Sequence, residues 1–216
     1  MKSAALVAAV SVLAAVTALT SSGAARADDV GSDMRDYYGG EKASAYLVGA
    51  TGLAAAVGGG FLVTRDADLA RGLGGAWLAM GSLETIGAVV YAVQVGAETS
   101  HYQGELARDP TGYRADEIDH LRGTSSRFVV YRAVELSLAL AGAGAAAYGL
   151  ASGKGGWQGA GIGVASLSLP FFVLDSINDA RASHYLEEVR RFQPSVGMAP
   201  GNPRHGGFSL SLATRF

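Results

Sequence analysis

The chain has 216 residues, no cysteine, a net charge of −2 and a mean hydropathy of +0.22. The lack of cysteine excludes disulfides, thiolate metal sites and a lipoprotein anchor. The near-neutral charge offers no basic surface, so nucleic acid is not an expected partner.

Residues 1–27 read as a secretory signal peptide. Met1-Lys2 is a positive start, Ala4 to Leu19 is apolar apart from Ser11 and Thr17, and Ala25-Arg26-Ala27 is a small-residue cleavage site. The exported chain is expected to begin at Asp28, with an acidic extracytoplasmic segment over 28–42.

Four long uncharged stretches follow. Residues 43–64 carry no charge, 72–97 carry only Glu84, and 136–153 and 155–174 carry none. A spanning helix needs about 20 predominantly apolar residues, because each rises about 1.5 Å through a core about 30 Å thick. Runs such as Leu53-Ala-Ala-Ala-Val57 do not alternate as barrel strands do, and alanine favours helix over strand. A water-soluble bundle would need polar helix faces, which residues 43–64 lack. The 31 glycines would each cost a soluble helix about 1 kcal/mol, whereas between membrane helices they allow close approach. Small residues four apart (Gly52, Ala56 and Gly60; Ser137, Ala141, Ala145 and Gly149; Gly159 and Gly163) are the expected packing faces.

The polar segments between these stretches hold an internal repeat. Ser100-His-Tyr-Gln-Gly-Glu-Leu-Ala-Arg108 and Ser183-His-Tyr-Leu-Glu-Glu-Val-Arg-Arg191 are identical at five of nine positions. Each copy follows two apolar stretches, so the expected unit is a helical hairpin with a polar helical extension. Repeat 1 covers 43–110, a polar linker 111–126, and repeat 2 covers 127–194. Two crossings per unit make the repeats parallel, with both extensions on the side of the N-terminus.

The tail, 195–216, begins rich in proline and glycine and ends Phe208-Ser-Leu-Ser-Leu-Ala-Thr-Arg-Phe216. Phe208, Leu210, Leu212 and Phe216 alternate with polar residues, and 195–199 could pair with this strand as a hairpin. The nonapeptide resembles the terminal strand signal of outer-membrane barrel proteins. The resemblance covers nine residues; the rest of the chain departs from the barrel pattern, so membership does not carry over. The fold class is therefore an all-α membrane protein, with four transmembrane helices as two parallel hairpin repeats and a short β-hairpin-like tail.

Glu84 is the one ionisable residue inside an apolar stretch, where a charge is costly and marks a candidate site. His101/Glu105 and His184/Glu188 are each four apart on one helix face. Two imidazoles and two carboxylates would suit zinc or another divalent ion if the repeats brought them together. A packing seam between the extensions is the favoured reading, so no cofactor is expected. Arg132 and Glu135 should pair locally, and His120 with Asp116, Glu117 and Asp119 should form a solvated helix face. No nucleophile elbow, phosphate loop or zinc-protease motif is present, so no enzymatic activity is expected. The leading expectation is a structural or interaction component of a cell-envelope membrane, with lipid and a protein partner or a second copy as its contacts. The inner membrane is favoured over the outer. The alternative is a small transporter or channel subunit using Glu84.

Overall fold

The computed structural model describes residues 30–194, 196–198 and 210–212. The expected signal peptide and most of the tail lie outside the described residues. Among the described residues four long helices make up the fold: α1 (Val30–Val63), α2 (Asp68–Arg108), α3 (Pro110–Ala151) and α4 (Gly155–Arg191). At 1.5 Å per residue they are about 50–60 Å long, roughly twice the hydrocarbon thickness. Each is long and apolar enough to cross a membrane, and each also extends well beyond one.

The turns are short and chemically specified. Gly153 takes a positive φ of 66° between α3 and α4, a conformation glycine adopts without steric cost. A single residue, Asp109, separates α2 from α3. Its carboxylate accepts from the backbone N–H of Thr111 and Gly112 at 3.2 and 3.0 Å, and Pro110 occupies the first helical position, where its missing N–H costs nothing. The polar residues 111–126 are thus the first turns of α3, continuous with its apolar half. The acidic N-terminal segment is likewise helical from Val30 onward.

α1 packs chiefly against α2 and α3 against α4, while α2 and α4 form the central seam. The two halves of the bundle are built oppositely. In the apolar half the large side chains point outward: Leu53, Val57, Phe61, Leu83, Ile86, Val89, Val93, Leu140 and Leu150 are all exposed. Such a surface is untenable in water and natural in lipid. The inside is backbone against backbone. A β-carbon at Gly59 would stand 2.6 Å from the carbonyl oxygen of Gly74, one at Gly52 2.8 Å from that of Gly81, and one at Gly142 2.8 Å from that of Gly161. The packing glycines of α1 are therefore Gly52 and Gly59, two turns apart, and Gly60 meets nothing within 4 Å. In α3 they are Gly142 and Gly149. Spacing by seven keeps a residue on the same side of a nearly straight helix pair, which spacing by four does not sustain. Gly159 and Gly163 of α4 pack against α2, at Leu69, Leu73 and Ala76.

In the other half the pattern inverts. Met34, Tyr37, Tyr38, Tyr102, Tyr113, Leu121, Phe128, Tyr185, Leu186 and Val189 form a buried aromatic core under a charged exterior. Four antiparallel helices with a polar outside and an apolar inside are the packing of an aqueous bundle. Beyond α4, β1 (Val196–Met198) and β2 (Leu210–Leu212) pair antiparallel, Val196 opposite Leu212.

Candidate functional site

All four helices contribute to a cavity of about 310 Å³ at the level where the apolar half gives way to the charged half. α1 lines it from Tyr37 to Val48, α2 from Glu84 to Glu98, α3 from His120 to Tyr131 and α4 from Leu174 to Asn178. Four carboxylates stand in its wall, Glu41, Glu84, Glu98 and Asp175, against one guanidinium, Arg127, and the imidazole of His120.

Glu41 is 1% exposed. The Tyr91 hydroxyl donates to its Oε2, while its Oε1 has no hydrogen-bond partner. Glu84 Oε2 and Glu135 Oε2 are likewise buried without partners. Below Glu41, the Ser44 hydroxyl donates to Asn178 Oδ1 at 2.9 Å, tying α1 to α4. Unsatisfied buried carboxylate oxygens cost more than most native structures tolerate, and where they occur together they call for an explanation.

Above the cavity lies a polar knot inside the aromatic core. Tyr38 donates to both oxygens of Glu117, and the Tyr113 and Tyr185 hydroxyls are 2.7 Å apart. Glu117 is completely buried. Burial pushes its carboxyl up to about 7; hydrogen bonds from Tyr38 and Tyr185 oppose the rise. His120, at the cavity's outer end, has its Nε2 3.8 Å from Glu98 Oε2 and packs beside the Tyr102 ring. Burial, with a smaller contribution from Arg127, lowers its pKa. Residues 116–120 are therefore not a uniformly solvated face: Asp116 and Asp119 are exposed, but Glu117 and His120 turn inward, because residues three apart on a helix share a side.

The residues singled out in the sequence fall in different places. Glu84 lines the cavity at its deep end. His101 is exposed and its Nε2 lies 3.7 Å from Glu105 Oε2, one turn on. His184 is exposed, and Glu188 accepts from Arg191 at 3.2 Å. Among the described residues, no group of three or more histidines and carboxylates is arranged to hold a metal ion. The tyrosine of each Ser-His-Tyr segment is the part that reaches the core. Tyr102 stacks on Tyr38 with ring centroids 6.1 Å apart, and Tyr185 on Tyr37 at 4.8 Å. Arg132 does not pair with Glu135. Its Nη2 reaches Asp179 Oδ2 of α4 at 2.8 Å, since a helix side chain that faces a neighbouring helix meets the carboxylate there first.

Glu41, Glu98, Asp175 and Glu117 are the site residues that the sequence pattern did not reveal. Glu41, Glu98 and Asp175 lie just outside apolar stretches and Glu117 within the polar segment 111–126, and charge is unremarkable in both settings. One signal was present: tyrosines recur beside them, at 37, 38, 91, 102 and 113, more densely than a solvated segment requires. No family model matches the chain, and no curated protein or solved structure matches it.

Proposed function

We propose that the chain is a non-enzymatic interaction component of a cell-envelope membrane, and that its cavity is the ligand-binding site. The apolar halves hold the protein in the bilayer. The charged halves stand on the extracytoplasmic side with the N-terminus, as the signal peptide of 1–27 implies, and the inner membrane is the favoured location. The two hairpins, α1–α2 and α3–α4, are read as parallel repeats with the tail strand pair appended. The recurrent Ser-His-Tyr segments and the paired glycines at 52/59 and 142/149 support that reading.

One observation carries the functional part: Glu41 is buried, holds an unbonded Oε1, and lines a cavity that all four helices share. A purely structural bundle gains stability by filling such a space or replacing the carboxylate with an apolar residue. A bundle that keeps both has a use for them.

Transport is the second reading, favoured by the buried, unbonded Oε2 atoms of Glu84 and Glu135 deeper in the bundle. The two separate in liposomes. Protein reconstituted into vesicles with a potassium gradient and a potential-sensitive dye should hold the gradient as empty vesicles do. A leak that Glu84→Gln abolishes would replace the interaction reading with transport.

A further inference from the structure

The cavity is tall, and close helix packing bounds its inner end. Its wall on α2 runs from Glu84 to Glu98, a rise of about 21 Å at 1.5 Å per residue. Its carboxylates occupy successive levels. Gly52 faces Gly81 and Glu84, and Gly49 faces Ala88, so α1 climbs outward as its numbering falls. Ser44, bonded to Asn178, is the next level out, and Glu41 lies one turn beyond it. Glu84 is thus innermost, Asp175 and Glu41 lie between, and Glu98 stands outermost beside His120. Inward of Glu84 the helices meet at backbone distance. Gly52 closes on Gly81, Gly142 on Gly161, and a β-carbon at Gly163 would lie 2.7 Å from Ala76 Cβ across the α2–α4 seam. The chamber is blind.

Three ligand classes are separable on this geometry. An anion would meet four carboxylates against the single guanidinium of Arg127. A bare metal ion needs oxygens converging on one point at about 2.0–2.6 Å, and here the carboxylates are strung along the wall with no metal-holding group among the described residues. A slender organic cation with its charge spread along its length fits both features. Between the carboxylates the wall carries the rings of Tyr37, Tyr38, Tyr91, Phe128 and Tyr131. Ammonium groups are attracted to aromatic faces, and methylene segments are covered by them.

We propose that the chamber binds a linear polyamine, its ammonium groups on Glu98, Glu41, Asp175 and Glu84 and its methylene runs against the tyrosines. The ligand enters from the Glu98 end. Glu41 Oε1, buried and unpartnered, is the central acceptor. This proposal rests on the reading of the cavity as the ligand site.

The test uses the full chain in lipid nanodiscs, with spermine, a linear tetraamine, as the probe. Calorimetry should show one saturable site for spermine, and no matching site for magnesium or potassium at equal ionic strength. Glu41→Gln should weaken spermine at least tenfold with the helical melt unchanged. If that variant fails to fold, Glu98→Gln at the half-exposed outer end should weaken binding instead. Absence of saturable binding, equal binding of magnesium, or undiminished affinity in the folded variant overturns the proposal. A second arm separates this from failure of the cavity reading itself. The chain has no native cysteine, so the Val48→Cys thiol in the chamber wall can be probed with a small cationic thiol reagent. Reaction that spermine slows supports the proposal. Reaction that spermine leaves unchanged ends the polyamine assignment and leaves an accessible site. No reaction ends both.

Discussion

The Tyr38 hydroxyl donates to both carboxylate oxygens of Glu117, at 2.9 and 3.2 Å, joining α1 to α3 through the centre of the aromatic core. The two helices scarcely touch elsewhere. A buried carboxylate is therefore placed where the outer half of the bundle needs a tie between its two outer helices.

That placement gives a pH dependence of known sign. Burial raises the Glu117 pKa from 4.5 to about 7. The folded state then holds a proton that the unfolded state releases, so the contribution to stability is fully present below pH 4.5 and is lost as pH rises through 7. His120, lowered by burial, acts oppositely and loses stability as pH falls. Glu98 and Glu105, both raised, act in the same sense as Glu117. The variant isolates one group. Glu117→Gln should flatten the fall in melting temperature between pH 5 and pH 8, with its largest relative gain at pH 8. An unchanged slope would mean that Glu117 does not titrate in this range.

The membrane half was legible in the sequence because its signal is composition: long uncharged stretches rich in alanine and glycine report helix and lipid together. The four helices stand where those stretches lie. The outer half was not legible to the same degree. Residues 28–42 and 111–126 look like solvated segments, and only the register of the helix shows that Tyr37, Tyr38 and Glu117 turn inward while Asp116 and Asp119 do not. Small-residue spacing was visible as a tendency, but Gly60 and Ala56 satisfy the four-residue rule as well as Gly59 does the seven-residue one, and only the crossing of α1 with α2 chooses between them. Glu84 stood out because it interrupts an apolar stretch. Glu41 and Asp175, in the same cavity, did not, since each sits one or two residues beyond such a stretch among other charges.

The glycine contacts distinguish adjacent positions on α1. Gly59→Ala would put a methyl group 2.6 Å from the Gly74 carbonyl oxygen, and only a shift of the helices relieves that. A loss of about 1–3 kcal/mol is expected. Gly60→Ala meets nothing within 4 Å and should be neutral or slightly stabilising. Thermal unfolding of the two variants in one detergent compares them directly, and equal losses would mean that the α1–α2 seam is elsewhere.

Arg132 and Asp179 form an inter-helix pair at 2.8 Å in a setting where both side chains are mostly covered. Removing either partner leaves the other charge poorly solvated. Arg132→Ala and Asp179→Ala should each destabilise, and the double variant should lose less than their sum, with a coupling of about 1–3 kcal/mol. The corresponding cycle between Arg132 and Glu135 should give a small coupling, about 0.2–0.5 kcal/mol, as for an exposed pair on one helix. The reverse order of couplings would restore the local pair.

The antiparallel succession of four helices puts the ends of α2 and α4 at one end of the bundle and the α3–α4 turn at the other. Ser100 and Ser183 lie near the outer ends of α2 and α4, and Ser152 in the turn at the opposite end. With the protein in the inner membrane and its charged halves extracytoplasmic, as proposed, cysteines placed singly at Ser100 and Ser183 should label together with an impermeant thiol reagent in cells whose outer membrane is permeabilised, while one at Ser152 should stay unlabelled. Opposite labelling of Ser100 and Ser183 is incompatible with four spanning helices.

Glu84 decides how deep the site's chemistry goes. It stands at the inner end of the chamber, about 21 Å along α2 from Glu98 at 1.5 Å per residue, with a buried Oε2 that meets no donor. Below it the glycine seams close the bundle, so a cation that reached Glu84 would have no onward path. A terminal acceptor in a blind chamber needs polarity more than ionisation to keep its shape. Glu84→Gln keeps the volume and a polar end, and should leave abundance and membrane insertion within about twofold of wild type, because removing a buried charge without creating a cavity costs little. Its spermine affinity should fall less than that of Glu41→Gln, since the inner end holds one ammonium group and the centre of the chamber lies between two. If Glu84→Gln is folded and abundant yet binds more weakly than Glu41→Gln, the charge that matters is the deep one, and Glu84 rather than Glu41 is the central acceptor.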